Sequence, residues 1–157
     1  MMGRLMQNDL PTHILGNKEL PLTGTYSCIQ PKIVHSAKSR SGSLNDVVNS
    51  GIVTSIQITN TSLALDVKVN GLNQSSMPIP YTLEGEKLVA KSPLKEEQVV
   101  DPTTNQPWIS SRSEVVSINL KNHEMNRVVK NESLGLDRKV TGYEIFTLTA
   151  KCPFILK

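Results

Sequence analysis

Residues 63–69 read LALDVKV, and this stretch decides the fold class of the chain. Leu63, Leu65, Val67 and Val69 alternate with small or polar residues along its whole length. Successive side chains of a β-strand point to opposite faces. A period of two therefore predicts a strand with one buried face.

The same alternation recurs on both sides of this strand. Residues 52–58 repeat the pattern, and residues 60–62 suit a turn, so residues 51–70 are predicted to form a hairpin. The remaining strand-like segments are hairpins over residues 79–91 and 114–130 and single strands over residues 23–30 and 140–151. The pattern indicates an all-β protein.

Helical signals in the chain are short. Residues 44–48 and 92–98 are each compatible with one helical turn, because a serine that can cap the turn stands at the start of each. Residues 100–113 read as a long loop that contains the single tryptophan, Trp108. A loop of this length in a compact domain is often functional.

These elements predict one antiparallel meander of about eight strands. At 157 residues the chain has the usual size of a single domain. A meander of this length buries its edges best by closing into a barrel, and a two-sheet sandwich is the alternative. Residues 21–157 are assigned to this domain, and residues 1–20 to a poorly ordered N-terminal extension.

The two cysteines lie in the first and last predicted strands, at Cys28 and Cys152. Closure of the barrel brings these strands side by side, so we expect the cysteines to be neighbours within the range of a disulfide. Two separate, reduced and buried thiols are the alternative. Their spacing from His13, His35 and His123 matches no zinc-binding pattern, and no metal site is expected.

Composition and motifs argue against several classes of function. A net charge of +3 gives no polyanion-binding signature, and 4% aromatic residues argue against a large stacking surface, so no nucleic-acid partner is expected. Nucleotide-binding and nucleophile-elbow motifs are missing from the sequence, which predicts no cofactor and no enzymatic activity. No apolar run approaches the ~18 residues that a membrane span needs. The first twenty residues lack the apolar core of a secretory signal, so the chain is either cytoplasmic or the mature form of an exported protein.

Gly24-Thr25-Tyr26, at the start of the first predicted strand, resembles the first motif of lipocalins and the wider calycin group. Residues 81–88, YTLEGEKL, are similar in style to hairpins of bacterial lipocalin-like domains. Tyr26 stands where that motif normally carries tryptophan, and Arg138 is only a candidate for the arginine that packs over the ring.

The resemblance implies a non-catalytic barrel that binds a small apolar or amphipathic ligand inside. A protein–protein interaction module with a filled core and no ligand is the alternative, because aliphatic inward residues suit a solid core equally well. The candidate ligand-binding residues are inward strand positions and one loop tryptophan: Tyr26, Ile56, Leu65, Tyr81, Trp108, Ile118 and Phe146.

Overall fold

The computed structural model describes residues 23–153. The predicted N-terminal extension, residues 1–20, lies outside the described residues. Residues 23–153 form eleven strands and no helix. The strands are β1 Gly24–Ser27, β2 Ile29–Ser39, β3 Gly42–Val48, β4 Ile52–Ile58, β5 Ser62–Val69, β6 Leu72–Asn73, β7 Ile79–Glu84, β8 Lys87–Val100, β9 Pro107–Asn119, β10 Glu124–Leu134 and β11 Val140–Lys151.

All eleven strands belong to one antiparallel sheet. Its order is β1-β4-β5-β7-β8-β9-β10-β11-β2-β3, and β6 pairs with β5. The prediction of an all-β antiparallel fold is confirmed. The hydrogen-bonded path begins at β1 and ends at β3, and it is not closed into a ring.

The structure has three strands more than the predicted eight: β2 follows β1 after a break, β3 replaces a predicted helical turn, and β6 is a two-residue strand. Cys28 alone separates β1 from β2, and residues 49–51 separate β3 from β4. Gly51 has a φ of +73°, and a Cβ at this position would overlap the side chain of Asn70. Glycine is the residue that permits this backbone conformation.

The segments that carried helical signals are strands. Residues 44–48 belong to β3, whose Leu44 pairs with Ala37 of β2. Residues 92–98 belong to β8, which pairs with β9 around a register shift between Ser92 and Lys95. Strand β9 begins at Pro107, so the predicted loop is shorter than expected. In each case pairing with a distant strand outweighs a weak local capping signal.

One face of the sheet carries the buried side chains, and we call it the inner face. Paired residues of neighbouring strands point to the same side, so the strand registers define rows of side chains across this face. The first row is apolar throughout: Leu88, Ile118, Met125 and Ala150. The second row contains one charge: Ala90, Val116, Arg127, Leu148, Ile33 and Val48. The third row is mixed: Ser92, Glu114, Val129, Phe146, His35 and Asp46. The fourth row is mostly polar: Lys95, Arg112, Asn131, Glu144, Ala37 and Leu44.

The first row, and Ala90, Val116 and Leu148 of the second, belong to one packed group of buried side chains, which we call the core cluster. Each fully buried aliphatic side chain contributes about 1.5–3 kcal/mol relative to exposure. The members of the core cluster are Tyr26, Ile56, Ile58, Leu63, Leu65, Val67, Ile79, Leu88, Ala90, Val116, Ile118, Leu120, Met125, Leu148, Ala150 and Cys152.

A disulfide joins Cys28 to Cys152 beside the core cluster, with the two Cα atoms 4.0 Å apart. The amide of Cys28 donates to the carbonyl of Thr54, and the amide of Cys152 donates to the carbonyl of His123. The bond therefore ties the junction of β1 and β2 to the chain that follows β11.

Candidate functional site

A cleft of about 300 Å³ lies where the apolar rows give way to the mixed rows, and we call it the interior cleft. This volume is at the lower end of the range for small-molecule sites. Six strands and the segment after β6 contribute to its wall. The lining residues are Ile33, His35, Asp46, Val48, Val67, Val69, Gln74, Arg112, Arg127, Val129, Asn131, Phe146 and Leu148.

One side of the interior cleft is apolar. Val67 and Val69 come from β5, while Val129 and Phe146 come from β10 and β11. The ring of Phe146 stacks on the imidazole of His35, with centroids 4.2 Å apart and planes 4° from parallel. This stack gives the cleft a flat surface against which an apolar chain can pack.

The most buried charges of the site are Arg127 and Glu114, whose side chains are 9% and 8% exposed. Arg127 Nε donates to Glu114 Oε2 at 2.6 Å, and its Nη1 donates to the carbonyl of Gln74 at 2.5 Å. Desolvation of two charges is costly, and these bonds offset that cost. Arg127 Nη2 has no hydrogen-bond partner within residues 23–153 and remains a donor on the cleft wall.

Arg112 adds a second cation to this pair. Its Nη2 donates to Glu114 Oε1 at 3.4 Å, and its side chain is 47% exposed. Arg112 and Arg127 share one carboxylate, so the three side chains together carry a charge of +1. This local charge favours an anion or a strong hydrogen-bond acceptor at their end of the cleft.

The carbonyl that Arg127 contacts belongs to a short segment, residues 74–76, that runs beside β5. Ser75 Oγ accepts from the amide of Val67, and Ser76 Oγ accepts from the amide of Leu65. Strand β7 pairs with β5 only at Ser62 and Leu63, so these hydroxyls satisfy the remaining backbone donors of β5. The serines thereby hold the segment against β5, and its Gln74 lines the cleft.

His35 connects the apolar stack to the polar row. Its Nε2 lies 3.1 Å from Glu144 Oε2. Asp46 is its direct partner on β3, on the same face. The cleft thus has the acidic Asp46 on the side of β3 and arginines on the side of β9 and β10.

The structure places the predicted ligand-binding residues in three different environments. Phe146 lines the interior cleft. Tyr26, Ile56, Leu65 and Ile118 lie in the core cluster and do not line the cleft. These four side chains pack against other protein groups, and burial raises the pKa of the Tyr26 phenol.

Tyr81 and Trp108 lie elsewhere. Tyr81 packs against the core cluster, its hydroxyl donates to the carbonyl of Thr59 at 2.8 Å, and burial raises the pKa of its phenol. Trp108 lines a second groove further along the inner face. The seven residues therefore do not form one site.

The charged residues of the cleft were not singled out from the sequence, although a signal for them exists. Arg127 stands between two apolar residues, Met125 and Val129, on the same face of β10. Glu114 continues the inward face of Val116 in the same way. A charge at an inward strand position indicates either a buried ion pair or a ligand contact.

Residues 23–153 contain neither a cluster of potential metal ligands nor a helix that could span a membrane. Within residues 23–153, no group of three or more His, Cys, Asp or Glu side chains is placed to hold a metal ion. Over the same residues, no helix has the length and apolar character needed to cross a membrane.

Comparison with known proteins gives no assignment. No protein-family model matches the chain. No curated protein and no solved structure matches it either. The geometry of the inner face is therefore the basis on which a function can be argued.

Proposed function

We propose that this protein is a non-catalytic binding protein that holds a small amphipathic ligand in the interior cleft. The observation that carries the proposal is the change in side-chain type across one cleft of about 300 Å³. Valines and the Phe146 ring suit an apolar chain, and Arg112 and Arg127 suit an acceptor head group.

The proposal includes a lipocalin-like barrel. Strand β1 pairs with β4 and β2 pairs with β3, so the segments 24–39 and 42–58 run side by side as two bent strands. The first also pairs with β11 and the second with β5. Counted in this way, the meander has eight strands and its first strand pairs with its last, which is the neighbour relation that the proposed barrel requires. The Gly24-Thr25-Tyr26 motif supports the same interpretation.

The head group of the ligand is expected to be an anion. Arg127 Nη2 is an unused donor, and the cluster of Arg112, Arg127 and Glu114 carries a charge of +1. Charge-assisted hydrogen bonds of this type are roughly twice as strong as neutral ones. Dodecanoate combines such a head group with an apolar chain and is the first probe.

The test is calorimetric titration of the protein with dodecanoate. Val69→Phe places a larger side chain in the cleft, and we expect it to weaken binding by about tenfold or more, because a filled cleft excludes the chain. Val53→Phe is the matched control, since Val53 is 73% exposed on the neighbouring strand. Wild-type protein that does not bind dodecanoate saturably, or Val69→Phe protein that binds like wild type, would contradict the proposal.

A second titration examines the head group. Arg112→Gln is expected to weaken dodecanoate binding by about fivefold, because it removes one charge-assisted contact. Dodecyltrimethylammonium has a chain of the same length and the opposite charge, and it is expected to bind more weakly than dodecanoate. Equal affinity for both amphiphiles would show that the arginines do not recognise the head group.

One observation favours the second candidate function, an interaction module. Strand β3 pairs only with β2, so its other edge has free backbone groups among the described residues. Leu44 and Val47 on this strand are about half exposed. An edge of this kind can pair with a strand of another protein. Native mass spectrometry that shows a protein complex and no uptake of amphiphile would favour this function over the cleft.

A further inference from the structure

A second concave site lies beyond the fourth row of the inner face, and we call it the Trp108 groove. It has a volume of about 550 Å³ and is open to solvent along one side. The residues on which the argument depends are Trp108, Ser110, Asn131, Ser133, Glu144 and Leu44.

The groove is rich in polar groups that the protein itself does not use. Trp108 Nε1, Ser110 Oγ, Ser133 Oγ and the Asn131 amide form no hydrogen bond with any residue of the described range 23–153. All four side chains are half-buried. Half-buried donors and acceptors without protein partners are available to a ligand.

The floor of the groove is formed by small residues. Ala37 and Gly142 lie on the neighbouring strands β2 and β11. A Cβ at Gly142 would lie 3.0 Å from the carbonyl oxygen of Lys38, so the two strands approach closely at this point. These small residues lie between Trp108 on β9 and Leu44 on β3.

We propose that the Trp108 groove binds a neutral saccharide. The indole offers a flat apolar surface to the C–H face of one sugar ring, and Ser110, Asn131 and Ser133 offer partners for its hydroxyls. Charge favours a neutral ligand over an anion, because Glu144 is the charged residue that shares the inner face with Asn131 in the groove. Lys38 and Glu132 alternate to the opposite face of their strands.

The groove adjoins the interior cleft, because Asn131 lines both. The saccharide can therefore be a free glycan, or it can be the head group of an amphiphile whose chain lies in the cleft. The sugar chemistry is the same in both cases, and the proposal does not depend on the cleft being occupied. The experiment separates the two sources.

The test uses Trp108, the single tryptophan of the chain, as a fluorescent reporter. The full-length protein is titrated with maltotriose, cellotriose, the trimer of N-acetylglucosamine, and octyl glucoside. We expect a saturable change in indole emission with at least one of these sugars. Asn131→Ala and Ser133→Ala are expected to weaken binding by about fivefold each, because each removes a hydrogen-bonding partner. Asn126→Ala, at an exposed position of the same strand, is the matched control and should bind like wild type.

The outcomes distinguish this proposal from that of the cleft. Binding of a trisaccharide that Val69→Phe leaves unchanged supports a glycan site that is independent of the cleft. Binding of octyl glucoside alone, lost in Val69→Phe and weakened in Ser133→Ala, supports a sugar head group, because Ser133 lines the groove and not the cleft. Absence of a saturable response to all four probes overturns the proposal, as does an Asn131→Ala protein that binds like wild type.

Discussion

The core cluster and the interior cleft occupy neighbouring parts of one face of the same strands. Strand β9 contributes Ile118 to the core cluster and, four residues earlier, Glu114 to the ion pair at the cleft. Strand β10 contributes Met125 to the core cluster and Arg127 to the cleft two residues later. The inward alternation continues through both regions, and only the type of side chain changes. Alternation therefore determines the sheet, whereas inward polar residues mark the proposed binding region.

The largest loss of stability is expected when the disulfide, which lies at the core cluster, is removed. Cys28→Ala with Cys152→Ala removes a crosslink between residues 124 positions apart. The chain-entropy model for a loop of this length gives a loss of about 5 kcal/mol in the free energy of unfolding. Urea denaturation measures this loss. A double variant with the wild-type midpoint would show that the crosslink does not constrain the unfolded chain.

The buried ion pair at the cleft is expected to have the next largest effect. Arg127→Ala leaves Glu114 buried without its closest partner and should cost about 3–5 kcal/mol. Arg127→Met combined with Glu114→Leu should restore much of this stability, because no unpaired charge is left behind. Urea denaturation of both variants measures this. A single variant as stable as wild type would mean that the pair is not desolvated in solution.

The matched control for this pair is on the surface. Arg138 donates two hydrogen bonds to Glu96, each at 3.0 Å, and this contact lowers the pKa of the Glu96 carboxyl. Both groups are exposed to solvent, which screens their attraction. Arg138→Ala is therefore expected to leave the urea midpoint unchanged. If Arg138→Ala lost as much stability as Arg127→Ala, burial would not explain why the two ion pairs are expected to differ.

Two isoleucines compare the packing of the two regions directly, with a smaller expected loss of stability. Ile118→Ala in the core cluster should cost about 2–5 kcal/mol, since its fully buried side chain leaves a cavity. Ile33→Ala, on the half-buried wall of the cleft, should cost less than half as much, because Ile33 already borders open space. Equal losses would indicate that the cleft is as tightly packed as the core.

Much of the fold could be predicted from alternation alone. The last predicted strand, residues 140–151, has the bounds of β11, and the hairpin over residues 51–70 contains β4 and β5. The local sequence of residues 44–48 predicts a helical turn, whereas the structure pairs them with β2, and no local signal indicates that pairing. Long-range pairing decides such short segments.

The site was harder to predict than the fold. The strongest apolar alternation, around Ile56, Leu65 and Ile118, lies in the core cluster. Apolar alternation therefore identifies packed core residues and does not identify the residues that line the cleft. The ion pair between Arg127 and Glu114 depends on the register between β9 and β10. Turn geometry and tertiary packing set that register, and neither can be read from the two segments alone.

The most direct test of the account is to map dodecanoate binding residue by residue by NMR on the full-length protein. We expect the largest shift changes at Val69, Val129 and Phe146, which line the interior cleft, and little change at Ile56 and Ile118 in the core cluster. Saturating dodecanoate that leaves the cleft resonances unmoved, or that shifts the core resonances as much as those of the cleft, would contradict the claim that this half of the inner face is the binding region.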